Sequence, residues 1–507
     1  MPYVSHPLIK PDSIESRSYQ ENVVQEALKR NVLCVFPTGL GKTPVAVIVA
    51  AHRLEKYPGS SILVLAPTKP LTNQNYEVFR KFLNLVGDGD PFQVVTGTIP
   101  PEKRKGLYRT KKLLFATPQT IHNDLKSGII SLKDFSLLVT DEAHHSVGGY
   151  SYPYIAKRYL EEAEHPRVLA LTASPGATRQ KIEEIYKSLG LEAIEIKTER
   201  DEDVSPYVKE KYIEWVSVDL PESFLQIKKL IEGVYFEKLN SIKRMGFRKP
   251  VKLINRRDLL NLQVALQKQI SRGNRAAFGM VSTVAQAIKL EHALMLLETQ
   301  GIAVLENYWK KLREDQSKGA LAIVNDRSIS NAMWLTRGLH ESGSTHPKMG
   351  KLLGIVNREL LENPNSRIIV FATYRETVKG IAAALGNLQN ARPFEFIGQK
   401  GGLTQKEQIA RLERFKSGEY NILVGTSISE EGLDIASANI AIFYEPVPSP
   451  LRAIQRRGRV GRADVGRVII LMAKNTRDEA YHWSAVQKER KMKDTLLDMR
   501  GGQENEK

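Results

Sequence analysis

Two stretches of this 507-residue chain carry residues whose types and spacing suit chemistry on a triphosphate. Phe36-Pro37-Thr38-Gly39-Leu40-Gly41-Lys42-Thr43 closes one apolar run, Val32 to Phe36, and opens another, Val45 to Leu54. A strand, a glycine turn, Gly-Lys-Thr and a helix point successive backbone N–H groups and a helix N-terminus at phosphate oxygens. In that frame Pro37, Thr38, Gly39, Leu40 and Gly41 cradle the phosphates, Lys42 reaches the β and γ phosphates, and the Thr43 hydroxyl ligates magnesium. Phe36 stands where the longer form of the loop has glycine, so the match is to the shorter Thr-Gly-x-Gly-Lys-Thr form. Pro44 removes one N–H that could have met the α-phosphate, although proline is well tolerated in a first helical turn. About 100 residues on, the run Leu137 to Thr140 ends in Asp141-Glu142. At the carboxyl end of a parallel strand, Asp141 can hold magnesium through water and Glu142 can orient or deprotonate an attacking water. A lone Asp-Glu pair after a strand is commonly a solvated loop start. Its position after a phosphate loop in the same α/β unit favours the chemical reading.

Such a half-site hydrolyses slowly, because charge growing on the γ-phosphoryl oxygens lacks positive neighbours; an arginine from another surface can contribute about a thousandfold or more. Gln455-Arg456-Arg457-Gly458-Arg459-Val460-Gly461-Arg462 offers that arginine. Arg459 and Arg462, three apart on a helix, project to one side, and the glycines allow close approach of the backbone. The alternative is a basic patch on a phosphate backbone.

The elements that must hold these groups follow from the apolar runs. Val32 to Phe36, Ser61 to Ala66, Leu113 to Ala116, Leu137 to Thr140 and Val168 to Thr172 are continuous and of strand length, which suits a parallel sheet buried on both faces. A second series comprises Ile368 to Thr373, Ile422 to Thr426, Ile440 to Tyr444 and Val468 to Met472. The fold class expected is α/β: two doubly wound parallel-sheet domains with a helical domain inserted between them. Residues 1–199 form the first, Glu199 to Ser205 a polar hinge, and 200–220 the hinge plus a strand, Tyr212 to Val218, joining the second. Residues 221–325 form the insert, 326–500 the second α/β domain, and 501–507 a disordered tail.

The insert holds 18 Lys/Arg against 9 Asp/Glu, more than half of the chain's net charge of +17. Between Lys243 and Arg275 ten bases face one acid, Asp258. A one-signed local excess suits phosphate contacts, with Arg256, Arg257, Arg272 and Arg275 as candidates; a solvated helix face is the plainer reading. Hydrophobic residues at 42% and charged residues at 26% exclude a mostly disordered or collagen-like chain. The single cysteine, Cys34, excludes an internal disulfide or a multi-cysteine metal site, and its buried strand makes it core rather than reactive thiol. No uninterrupted apolar run approaches the roughly 18 residues of a membrane helix, and Met1 to Asp12 lacks a signal-peptide core. A soluble, intracellular protein is expected.

Asp141-Glu142-Ala143-His144, with Thr172-Ala173-Ser174 some thirty residues on, is similar to the signature of superfamily 2 helicases of the DEAH type. Ala66-Pro67-Thr68-Lys69-Pro70-Leu71 and Ala116-Thr117-Pro118-Gln119-Thr120 resemble the two strand-end loops that contact nucleic-acid backbone, and Arg17-Ser18-Tyr19-Gln20 the adenine-reading segment. Phe371-Ala372-Thr373-Tyr374-Arg375-Glu376-Thr377 resembles motif IV, Gly425-Thr426-Ser427 through Glu431-Gly432-Leu433-Asp434 motif V, and Gln455 to Arg462 motif VI. With the basic insert and Tyr444-Glu445-Pro446-Val447-Pro448-Ser449, the combination most resembles the archaeal Hef helicases, of the Fanconi anaemia M group of fork-remodelling enzymes. His145 stands for an expected arginine and Gly425 for an expected alanine; neither change removes a catalytic group.

The resemblance implies two RecA-like domains that use ATP and Mg2+ as cofactors. It implies Lys42, Asp141, Glu142, Gln455, Arg459 and Arg462 as catalytic, with Arg17, Gln20, Gly432 and Asp434 joining the loop in binding ATP. His144, Thr172 and Ser174 would couple hydrolysis to movement. Thr68, Lys69, Thr117, Gln119, Thr373, Arg375 and Thr426 would grip DNA backbone, which positions without reading sequence. The implied partner is forked or branched DNA, with a nuclease domain or sliding clamp in the full system, no membrane, and a cytoplasmic, nucleoid-associated place if archaeal. Glu489-Arg490-Lys491 with Asp494 superficially matches the nuclease motif of full-length relatives, but the spacing is one residue short and no buried strand precedes it. A charged helix without nuclease activity is expected there. Two rivals stay open: a duplex-RNA-stimulated ATPase like Dicer and the innate-immune RNA sensors, and a non-catalytic nucleic-acid clamp.

Overall fold

The computed structural model describes residues 2–37, 40–85, 89–148, 151–173, 175–176, 178–198, 201–207, 212–274, 277–397, 405–426, 438–446 and 467–504. The first half contributes β1 (Val32–Val35), β2 (Ser61–Leu65), β3 (Phe92–Val95), β4 (Leu113–Ala116), β5 (Phe135–Thr140), β6 (Val168–Thr172) and β7 (Ala193–Ile196). They make one sheet in the order β3-β4-β2-β5-β6-β1-β7 with every ladder parallel. β8 (Tyr212–Val218), β9 (Ile368–Phe371), β10 (Pro393–Phe396), β11 (Ile422–Gly425), β12 (Ile440–Phe443) and β13 (Arg467–Ala473) make a second, also parallel, in the order β10-β11-β9-β12-β13-β8. The two-sheet α/β class expected from the apolar runs is the class observed.

Helix α1 (Ser18–Lys29) precedes β1, and α2 (Lys42–Lys56), α3 (Lys69–Phe82), α4 (Pro101–Thr110), α5 (Pro118–Lys126), α6 (Ser151–Glu162) and α7 (Arg179–Ser188) connect the first sheet's strands. Parallel connections cover both faces, so alternate residues of one strand enter different cores: Val32 and Cys34 of β1 join one cluster, Leu33 and Val35 the other. Cys34 is fully buried, and burial pushes its thiol far above its usual range. β3, β7 and β10, absent from the expected runs, are edge strands carrying Gln93, Glu195 and Glu395. An edge strand has one open side and tolerates polar residues, so a search for continuous apolar runs passes over it.

Between the sheets lie α8 (Glu222–Arg244), α9 (Arg256–Ser271), α10 (Ala277–Thr299), α11 (Ile302–Glu314), α12 (Lys318–Val324) and α13 (Arg327–Glu341). α10 is long and apolar enough to cross a membrane by length and composition. Its Leu290, Leu294 and Leu297 instead form the bundle core with Ile227 and Ile231 of α8 and Leu259 of α9. Ile329, Ala332 and Met333 of α13 enter the same core, so the bundle continues past residue 325, where the insert was expected to end.

The second sheet's helices are α14 (Pro347–Glu362), α15 (Arg375–Leu385), α16 (Gln405–Lys416) and α17 (Arg477–Glu504). α17 extends through Glu504 where a disordered tail from Gly501 was expected, and it contains Glu489, Arg490, Lys491 and Asp494. Its first turn belongs to the second sheet and the bundle: Arg477 Nη1 lies 2.8 Å from Glu298 Oε2 of α10. Its Met492 and Leu496 are buried in a core cluster of the first sheet. The segment expected as a polar hinge is likewise anchored: Val204 is fully buried in a first-sheet cluster, and Lys197 pairs with Asp203 at 2.5 Å.

Candidate active site

β1, β2, β4, β5 and β6 are parallel, so the segments leaving their carboxyl ends share one edge of the sheet. The phosphate loop leaves β1 there; Thr38 and Gly39 lie outside the described residues. Gly41 takes φ 79°, a left-handed conformation that favours glycine, and a Cβ at this position would stand 2.2 Å from Gln20 Nε2. Gln20, 3% exposed, donates through Nε2 to Leu40 O at 3.0 Å, and the Tyr19 hydroxyl donates to the same oxygen at 2.9 Å. The segment expected to read adenine therefore rests directly on the loop. Arg17 stands 5.0 Å over the Tyr207 ring, and Tyr207 lies 5.8 Å from Tyr19, a contact from the hinge that nothing local in the sequence signals. Lys42 opens α2 and donates to Phe36 O at 3.0 Å, with Pro37 partly exposed beside it. Thr43 and Pro44 follow in the first helical turn.

Asp141 and Glu142 follow β5. Both Asp141 carboxylate oxygens are held: Oδ1 accepts from Glu142 N at 3.0 Å and Oδ2 from Asn75 Nδ2 at 3.1 Å. Desolvation pushes the Asp141 carboxyl up, and the Asn75 amide, Lys42 and the Glu142 N–H oppose that. The Tyr152 hydroxyl, itself buried, donates to Asp141 O at 2.7 Å. Glu142 adopts φ 50°, a left-handed conformation costing a non-glycine residue about 1–2 kcal/mol, and starts the tight turn Ala143–Ser146. His144 Nδ1 sits 3.3 Å from Glu142 Oε2 and 3.3 Å from Thr172 Oγ1 at the end of β6. Burial drives this imidazole down to about 3, with His145 and Lys42 adding to the effect, so it is neutral and its contact with Glu142 is no ion pair. β6 lies between β5 and β1, and Thr172 pairs with Val35, so the residue that His144 joins to the acidic pair also sits beside the phosphate-loop strand. Ser174 lies outside the described residues.

The Thr43 hydroxyl and the Asp141 carboxylate are hard oxygen donors of the kind Mg2+ takes alongside water and phosphate. His6, His52 and Glu55 form a second cluster of metal-ligand types, with His6 Nε2 3.1 Å from Glu55 Oε2. Leu8 N donates to His6 Nδ1 at 3.1 Å, which leaves the neutral ring's proton on Nε2, the atom an ion would need. That cluster therefore reads as a polar clasp of the N-terminal arm on α2.

Thr68 caps α3 after β2 and Thr117 caps α5 after the adjacent β4, bringing two helix N-termini side by side at the same edge. Lys69 and Gln119 are exposed in those first turns, and the Thr68 hydroxyl is buried without a partner among the described residues. In the second sheet, exposed Thr373 follows β9, buried Thr426 follows the neighbouring β11, and Arg375 opens α15. Glu445, after β12, accepts from Thr373 N. Gly432, Asp434, Gln455, Arg459 and Arg462 lie outside the described residues. Among the insert's candidates, Arg257 and Arg272 are exposed and Arg275 lies outside the described residues. Arg256 is different: its Nη1 is 2.6 Å from Glu291 Oε2, a carboxylate buried in the bundle that also faces Arg477 at 3.5 Å. The charge expected to meet phosphate at Arg256 is thus already paired inside the protein.

The family model "DEAD/DEAH box helicase" matches residues 17–182, "Helicase conserved C-terminal domain" residues 348–464, and "Putative ATP-dependent RNA helicase, helical bundle" residues 223–341. A Methanocaldococcus jannaschii protein named "Putative ATP-dependent RNA helicase" is 43% identical over 98% of this chain and 63% of its own length. The ATP-dependent DNA helicase fml1 of Schizosaccharomyces pombe is 32% identical over 97% of this chain and 61% of its own. The chain thus spans less than two thirds of these relatives. The crystal structure of the Pyrococcus furiosus Hef helicase domain is 44% identical, with a TM-score of 0.74 over 94% of this chain and 100% of that one. With both helicase halves, the intervening bundle and the full extent of that domain matched, the chain belongs to the DEAD/DEAH-box helicase family, among the Hef, FANCM and Mph1 helicases.

Proposed function

We propose that this chain is an ATP-dependent DNA translocase of the helicase type, acting on forked or branched DNA. One observation carries the reading: the phosphate loop, the acidic pair and its histidine link to Thr172 share a sheet edge with Thr68, Lys69, Thr117 and Gln119. Nucleotide chemistry and backbone grip then act on the same rigid elements. Lys42 and the loop N–H groups bind the triphosphate, and Thr43 and Asp141 would hold Mg2+, which would offset the charge of the phosphates. Glu142 orients the attacking water or takes its proton. Arg459 and Arg462, within the matched residues 348–464, supply positive charge from the second domain, and Gln455 links the γ-phosphate or the attacking water to the nucleic acid. Thr373, Arg375 and Thr426 grip the same strand from the second sheet, so closing and reopening of the cleft moves the two grips along it.

Lys42→Ala should abolish ATP turnover and Glu142→Gln should abolish turnover while leaving nucleotide binding, each with DNA binding retained. Turnover at the wild-type rate in either variant refutes the assignment. A second reading, a duplex-RNA-stimulated ATPase, is favoured by the names of the helical-bundle model and of the Methanocaldococcus relative. ATPase rates on single-stranded, forked and four-way-junction DNA and on duplex RNA separate the two; greater stimulation by duplex RNA than by forked DNA overturns the DNA assignment.

A further inference from the structure

α3 begins at the strand-end loop of Thr68 and Lys69, and six residues in, about 9 Å along the axis, Asn75 reaches Asp141. Thr72, Asn75 and Phe79, at helical spacing, form the buried face of α3, with exposures of 1%, 5% and 0%. Thr72 Oγ1 donates to Thr68 O at 3.0 Å, tying the buried face to the capping residue. A buried amide costs about 1–3 kcal/mol unless its hydrogen bonds are made, so an apolar residue would serve packing alone better than Asn75. What Asn75 supplies is the Nδ2–H that fixes Asp141 Oδ2 at 3.1 Å, while Glu142 N fixes Oδ1 at 3.0 Å. One donor comes from the acidic loop itself; the other comes from the helix that carries the strand-end grip.

We propose that Asn75 is a positioning residue that couples the nucleic-acid grip at the start of α3 to the carboxylate that holds Mg2+. A strand bound at Thr68 and Lys69 shifts α3 as a rigid rod, and the shift is delivered to Asp141 through Asn75, changing how well the metal–nucleotide pair is held. The inference rests on the ATP-site reading above and assigns a role to a side chain outside its motifs.

The test uses the full chain and a fluorescent ADP analogue titrated with Mg2+, with and without a saturating single-stranded oligonucleotide, and repeated in EDTA. For the wild type, the oligonucleotide shifts the Mg2+ midpoint of nucleotide binding. Asn75→Leu, close in size and without a donor, should raise that midpoint about tenfold, the value of one charge-assisted hydrogen bond, and erase the oligonucleotide's effect. Metal-free nucleotide affinity and oligonucleotide affinity should stay as in wild type. Asn75→Ser, too short to reach Asp141, should behave alike and serves if the leucine variant is too unstable to purify. A wild-type Mg2+ midpoint and a wild-type oligonucleotide shift in both variants overturn the coupling while leaving the ATP site standing. Failure of the wild type itself to bind nucleotide, or retention of binding by Lys42→Ala, refutes the site reading instead.

Discussion

Lys348 and Asp478 form an ion pair with both side chains fully buried, 2.8 Å apart, and Lys348→Met tests what that pair contributes. The pair joins α14 to the start of α17, beside Arg477 and its bundle carboxylates. Lys348 also lies 4.9 Å over the Tyr444 ring, and Ala473 N donates to Asp478 Oδ2 at 3.1 Å. Methionine keeps the length and loses the charge. Stripping one partner from a buried pair typically costs about 3–5 kcal/mol, but Asp478 can escape by taking a proton. From an unfolded value of about 3.9, protonation at pH 7.5 costs about 5 kcal/mol at about 1.4 kcal/mol per unit. Burial already pushes this carboxyl up to about 6 in the paired state, despite Lys348. The wild type therefore bears about 3 kcal/mol of that cost, leaving a deficit of about 2 kcal/mol for the variant at pH 7.5. The folded state binds this proton more tightly than the unfolded chain does. The variant's deficit should therefore shrink by about 1.4 kcal/mol per unit as pH falls, vanishing near pH 6. Urea midpoints followed by tryptophan fluorescence, with amide exchange around Ala473 to Thr476, measure it at pH 7.5 and pH 6.0; adding Asp478→Asn should recover most of the loss at pH 7.5. Equal deficits at the two pH values, or none at pH 7.5, would show that the charge is already screened and the reasoning wrong.

His144, held down to about 3 by burial, should show no titration between pH 5.5 and 8 in histidine NMR spectra. Because its folded value lies below the unfolded one, the stability tied to its neutral ring is complete above about 6.5 and is lost as pH falls below that. Arg257→Ala and Arg272→Ala should each lower the salt slope of DNA binding by about one, measured by anisotropy from 50 to 300 mM salt. Arg256→Ala, which leaves buried Glu291 with the longer contact to Arg477, should instead lower bundle stability with a smaller change in slope. Met492→Asp with Leu496→Asp removes two buried side chains worth about 1.5–3 kcal/mol each and should release the far end of α17 to protease without changing nucleotide affinity.

What the sequence determined by itself was everything carried by neighbours along the chain. The loop around Lys42 and Thr43 and the end of β5 at Asp141 are legible because their chemistry is local: backbone N–H groups, a hydroxyl and a carboxylate within a few residues of an apolar strand. The two sheets were legible because strands buried on both faces must be continuously apolar. Gly41 was legible as a turn, whereas its second constraint, the approach of Gln20, was not. The tertiary structure alone decided which distant groups meet. Asn75 and Asp141 are 66 residues apart, Arg256 and Glu291 35, and Lys348 and Asp478 130. None of these pairings leaves a periodic or motif-like trace, since a buried amide or lysine resembles a surface one until its partner is placed. Edge strands β3, β7 and β10 escaped for a related reason, one polar side chain interrupting each four-residue apolar run at the open side of the sheet. The same physics separates the two classes: short-range hydrogen bonding and hydrophobic period are written in order along the chain, while desolvation and ion pairing depend on what the fold brings alongside.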